Sequence, residues 1–180
     1  MILIASLARA AGRGQVVALV DALDRFDPRM AHDAGLTLEH VLWVRGASIT
    51  AELMRPVRLE DVVRRAVRAF DLILRAGGFG LVALDLGDVP ARAVRALPIT
   101  TWLRLAHVNE GRPTAALVLA ETPGARSARG VSISAQAEPV WTGTSPQSHR
   151  FAGMRLKDRV SPQTERDRVS PQRAIRDPVS

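Results

Sequence analysis

Asp21, Asp24 and Asp27 recur at a spacing of three, an interval at which carboxylates can share a metal ion or divide general acid and base work. Their setting argues otherwise. They follow the apolar run Val16-Val17-Ala18-Leu19-Val20, so they cross a strand end and a loop, where helical spacing has no meaning and capping or solvent roles are expected. Asp85 ends a second apolar run, Leu81-Val82-Ala83-Leu84; one carboxylate makes a weak metal site, and contact with a neighbouring helix or with solvent is the plainer expectation. The histidines His32, His40, His107 and His149 are dispersed, with no HExxH spacing. Ser6, Ser48, Ser127, Ser132 and Ser134 have no nucleophile-elbow context. Cysteine is absent, which excludes disulfides and thiolate metal sites. Gly77-Gly78-Phe79-Gly80 precedes a strand instead of joining a strand to a helix, so it reads as a helix terminator and not as a phosphate loop. No catalytic residue and no metal site are assigned.

These residues are carried by a regular alternation of elements. Ile2 to Ala11 read as an apolar helix stopped by Gly12-Arg13-Gly14. The β-branched run at residues 16–20 reads as a strand covered on both faces. Asp27 before Pro28 opens a short helix that ends near Gly35, and Val41-Leu42-Trp43-Val44 is the second strand. Residues 59–75 form the clearest helix, with Val63, Val67, Phe70 and Leu74 on one face and arginines largely opposite. The run at residues 81–84 is the third strand. Helical stretches at residues 91–97 and 100–109 follow, with Ala115-Ala116-Leu117-Val118-Leu119 as the fourth strand and Val131-Ser132-Ile133-Ser134-Ala135 as a weaker edge strand. Such an order predicts an α/β domain with a largely parallel sheet and a ligand site at the carboxyl ends of its strands. Trp43 and Trp102 are expected in the core, and Trp141 folds back on the domain or anchors a partner.

The formal net charge is +7, and 47% of residues are apolar. Residues 1–120 hold 15 basic and 12 acidic side chains, whereas residues 121–180 hold 10 and 6, so the excess is weighted toward the last third. Arginine supplies all of the 25 basic residues except Lys157. A solvated basic surface and phosphate contact both remain open on this count. No membrane span or signal peptide is legible, and a cytoplasmic location is expected. After Trp141 the composition turns to Pro, Ser, Gln and Arg, and Asp158-Arg159-Val160-Ser161-Pro162-Gln163 recurs as Asp167-Arg168-Val169-Ser170-Pro171-Gln172. Residues 1–141 therefore read as the core, and residues 142–180 as a disordered tail whose short repeats bury almost nothing.

Val17-Ala18-Leu19-Val20-Asp21-Ala22-Leu23-Asp24-Arg25-Phe26-Asp27-Pro28 resembles the RecA segment in which an apolar strand leads into Asp-Ala-Glu and, shortly after, Asp-Pro. Residues 31–44 are similar to RecA's following short helix, turn and strand, and Leu81 to Asp85 fall where a Walker B strand and aspartate would stand. The likeness covers roughly residues 1–135, and shortened RecA-like proteins of the ImuA type, associated with translesion DNA synthesis, are the relatives it suggests. The resemblance implies a RecA-like three-layer core lacking the first strand, with Asp85 as a vestigial Walker B carboxylate.

Departures from the family bear on activity. The sequence holds no glycine-rich loop with its lysine and hydroxyl. Leu23 stands where the family's water-positioning glutamate would be, and Glu121-Thr122 occupy the neighbourhood of its γ-phosphate-sensing glutamine. The resemblance thus implies a non-catalytic accessory protein of DNA repair and SOS translesion synthesis, contacting a RecA filament or a translesion polymerase. It also implies DNA contact by Arg126 and Arg129, in the place of a mobile DNA-contacting loop. No cofactor is expected, and ATP with magnesium enters only if a phosphate loop lies upstream of Met1. A truncated product without a stable fold is the third expectation.

Overall fold

A computed structural model describes residues 2–46, 48, 56–121, 130–143, 148 and 150–162. The chain divides into two units, Met1–Arg126 and Ser127–Ser180. In the first, α1 (Ile2–Ala11), β1 (Val17–Asp21), α2 (Pro28–Asp33), β2 (Val41–Arg45), α3 (Pro56–Ala76), β3 (Leu81–Leu86), α4 (Ala91–Arg95), α5 (Ile99–Asn109) and β4 (Ala115–Ala120) follow in order. The strands form one sheet in the order β2-β1-β3-β4, with every neighbouring pair parallel. An α/β fold with helices flanking a parallel sheet is therefore what these residues adopt.

Strand alternation explains how the sheet is covered on both sides. Ala18 and Val20 of β1 join Val82, Leu84 and Leu86 of β3 in one apolar cluster with α3, α4 and α5. Val17 and Leu19 join Leu81 and Ala83 in a second cluster with α1 and Ala31 of α2. Successive side chains point to opposite faces, so a continuous apolar run is required in each central strand, and β1 and β3 are buried while β2 and β4 at the edges are only partly so. α3 meets its face with Leu59, Val62, Val63, Ala66, Val67, Phe70, Ile73 and Leu74, all buried at the i, i+3, i+4, i+7 recurrence of an amphipathic helix. α1 does the same with Leu3, Leu7, Ala10 and Ala11.

Element ends follow from local chemistry. Asp27 accepts from the Arg29 and Met30 amides at 2.8 and 3.1 Å and caps α2, with Pro28 at its first position. Gly77 and Gly78 take φ of 69° and 83° after α3, the left-handed stop that favours glycine. Arg112 then reaches back to donate to the Leu74 and Arg75 carbonyls at 2.7 and 3.1 Å, satisfying acceptors that the helix leaves open.

The second unit contains a hairpin of β5 (Val131–Thr142) and β6 (Arg150–Pro162), antiparallel, with an irregularity at Val140/Trp141. Two sequence expectations change here. Val131 to Ala135 belong to this hairpin and not to an edge of the parallel sheet, because their ladder partners are Asp158 to Pro162. The boundary drawn after Trp141 falls within β5, and of the residues read as a tail, Arg150–Pro162 form β6. Lys157 pairs with Glu138 across the hairpin at 2.8 Å. Trp43 is partly buried and Trp102 is core, whereas Trp141 is 55% exposed. The remaining repeat copies, residues 163–180, lie outside the described residues. No helix among the described residues is long and apolar enough to cross a membrane.

Candidate functional site at the strand ends

The strand order reverses between β1 and β3: β2 follows β1 on one side, and β3 returns to the other. In open parallel sheets ligands settle outside the carboxyl ends of the strands at such a reversal. Register places Arg45, Asp21, Asp85 and Leu119 in one row across the four strands at that end. Alternation puts all four positions on the side of the sheet that packs on α1. Two aspartates thus stand on adjacent central strands, and what each oxygen already does decides their chemistry.

Asp21 is 1% exposed. Its two carboxylate oxygens accept from the Arg25 amide at 3.0 Å and the Phe26 amide at 2.8 Å, so the buried carboxylate is satisfied and folds the β1 loop back on itself. Asp24 takes φ 55°, outside the usual range for a residue with a side chain. Arg45 grips it through Nε and Nη2, both at 2.8 Å, and Ser48 donates at 3.1 Å. The Arg45 hydrogen bond holds Asp24 below the ordinary carboxylate value. Arg45 also lies 4.7 Å from the Trp43 ring centre, and Phe26 meets the same ring edge-on at 5.2 Å. The three-residue spacing therefore gathers no cation site: Asp21 shapes the loop, Asp24 pins it to β2, and Asp27 caps α2.

Asp85 differs. Its Oδ1 accepts from the Gly87 amide at 2.8 Å, and no described residue donates to Oδ2. Burial raises its affinity for a proton above the ordinary carboxylate value, the Gly87 hydrogen bond opposes this, and the charges of Asp21 and Asp88 add to the rise. Asp88 in turn holds Arg25 at 3.1 Å. Gly46 closes the crevice on the β2 side: its amide donates to the Asp21 carbonyl at 2.7 Å, and a Cβ there would lie 2.0 Å from the Ala22 carbonyl oxygen.

The described strand ends do not fit a nucleotide with magnesium. Asp21, Asp24, Asp85 and Asp88 gather there, while the guanidiniums of Arg25 and Arg45 are already paired with Asp88 and Asp24, so a triphosphate would meet uncompensated negative charge. Leu23 is 3% exposed and packs in the α3 cluster, where it can orient no water. Among the described residues no group of three or more His, Cys, Asp or Glu side chains could hold a metal ion. Of the sequence-derived site residues, Asp85 sits at the reversal point, whereas Arg126 and Arg129 lie outside the described residues. Sequence reasoning did not single out Asp88, Arg25 or Arg45. A second carboxylate three positions after Asp85 was the visible signal for the first; the arginines have none, because their partners are distant in the chain. No protein-family model and no curated protein matches this chain.

Proposed function

We propose that this chain is a non-catalytic RecA-like accessory protein of DNA repair and SOS translesion synthesis, working in the cytoplasm by contact with a RecA filament or a translesion polymerase. The observation that carries the reading is the state of the β1 and β3 ends. Residues that resemble a RecA core stand at a reversal point where such a sheet would take its ligand, yet Asp21 is engaged by loop amides, Asp85 stands as a single carboxylate with one oxygen open, and Leu23 is buried. A sheet of this kind is suited to presenting surfaces. In this reading Arg126 and Arg129 add DNA contact without sequence discrimination. Pull-down of RecA and of translesion polymerases from the same cell by the tagged chain tests it. Specific association at micromolar concentration is the expected result, and no association with any of them overturns the proposal.

A second reading is favoured by one feature, the edge strand β4. Its Ala115-Ala116-Leu117-Val118-Leu119-Ala120 run carries no charge and no proline, and among the described residues no strand pairs with its outer side; an edge of this type invites another strand. In this alternative the chain is an N-terminally truncated RecA-like ATP-binding protein, and upstream polypeptide supplies a strand and a phosphate loop. The DNA immediately before the Met1 codon discriminates: an in-frame glycine-rich loop supports it, and a stop codon there removes it. Leu23 predicts poor hydrolysis even then.

A further inference from the structure

The two faces of the sheet differ in charge. Helices α3, α4 and α5 together carry eight arginines against Glu60, Asp61 and Asp71, whereas α1 and α2 carry Arg9 and Arg29 against Asp33. On the basic side a groove of about 540 Å³ runs between α3 and the α4–α5 pair. Its floor is apolar, formed by Val67, Ala93, Leu97 and Pro98, and Arg64, Arg68 and Arg104 stand along it. Internal pairing consumes some of this charge. Arg64 is held by Asp61 at 2.9 Å and Glu60 at 3.7 Å, and Asp71 by Arg75 at 3.1 Å. Arg68 and Arg104 are exposed and have no ion-pair partner among the described residues.

We infer that this groove docks an acidic amphipathic peptide segment of a partner protein, its apolar side chains on the floor and its carboxylates on Arg68 and Arg104. Charge complementarity selects the sign of the occupant, because the two uncompensated groups are both cations. The floor selects its class. A phosphodiester backbone gains nothing from Val67 and Leu97, and no aromatic side chain lines the groove to stack a base; Glu60 and Asp71, which would repel any anion, are engaged by Arg64 and Arg75. A peptide with apolar and acidic residues at helical spacing matches both features, as in helix-in-groove recognition. The inference stands on the groove alone and does not depend on the RecA resemblance.

Fluorescence anisotropy on the full chain tests it with three labelled probes: a peptide with leucines at helical spacing and glutamates elsewhere, the same peptide with lysine for glutamate, and an oligothymidylate. The glutamate peptide binds, and the lysine peptide does not. Arg68→Glu and Arg104→Glu each weaken the glutamate peptide by about three- to tenfold, and the double variant by more. Arg9→Glu, on the other face of the sheet, leaves binding unchanged. If charge reversal disturbs folding by circular dichroism, Arg68→Gln with Arg104→Gln gives the same ranking with a smaller loss. Three results overturn the inference: no binding of the glutamate peptide, binding indifferent to the double variant, or oligothymidylate binding more tightly and losing affinity in the same variants, which would make the groove a nucleic-acid site.

Discussion

The loop after β1 gathers carboxylates and the groove between α3 and α5 is lined by arginines beside Glu60 and Asp71, and the structure uses the two in opposite ways. Around the loop, Asp21, Asp24 and Asp27 are each engaged by amides or by Arg45 within the fold. Along the groove, Arg68 and Arg104 are exposed with no ion-pair partner among the described residues. Carboxylates whose spacing suggests chemistry are thus structural, and arginines that read as a solvated helix face are the ones left able to meet a ligand. What separates the cases is the state of each polar atom, satisfied or open, and not the density of charge.

Substitutions in the loop and in the groove should therefore separate cleanly. Asp21→Ala leaves the part-buried Arg25 and Phe26 amides without their acceptor and should cost about 1–3 kcal/mol in chemical denaturation; a loss below that range would mean that water or a rearranged loop replaces the carboxylate. Asp27→Ala removes an exposed helix cap and should cost about 1 kcal/mol, measured in the same way. Asp85→Asn should act in the other direction. Because Asp85 holds its proton more tightly folded than unfolded, its ionisation penalises the folded state once pH rises through the carboxylate range. Asparagine cannot ionise and can still accept from Gly87. The variant should accordingly be the more stable chain near neutral pH, with the difference vanishing in acid; unfolding midpoints across pH check the sign. Arg68→Glu and Arg104→Glu should change stability by no more than about 0.5 kcal/mol, and a larger loss would place these arginines in the fold with the loop carboxylates.

Much of the parallel unit was legible because its signals are local. The apolar runs ending at Val20 and Leu84 required burial on both faces, and Val63, Val67, Phe70 and Leu74 marked the inner side of α3 before any packing was known. Asp27-Pro28 and Gly77-Gly78 announced a helix start and a helix stop. The β5–β6 hairpin was hidden for the opposite reason: its ladder joins Val131 to Pro162, and the composition of residues 150–162 resembles a solvated tail. At the strand ends, Asp85 could be placed on its strand, but its neighbour in the sheet is Asp21 through register. Arg45 finds Asp24 across a loop, a contact that no residue spacing encodes. Arg68 and Arg104 became distinct from Arg64, the third arginine of the groove, only once its pairing with Glu60 and Asp61 was known.

The central claim is that the β1 and β3 ends, with Asp21 engaged by the loop and Asp85 left as a single carboxylate, do not receive a nucleotide. Calorimetric titration of the full chain with ATP and magnesium addresses it most directly, with Asp85→Asn as the paired variant. The account predicts no saturable heat for either chain. Saturable binding by the parent chain that is lost in Asp85→Asn would contradict it and would restore Asp85 as a working nucleotide-site carboxylate.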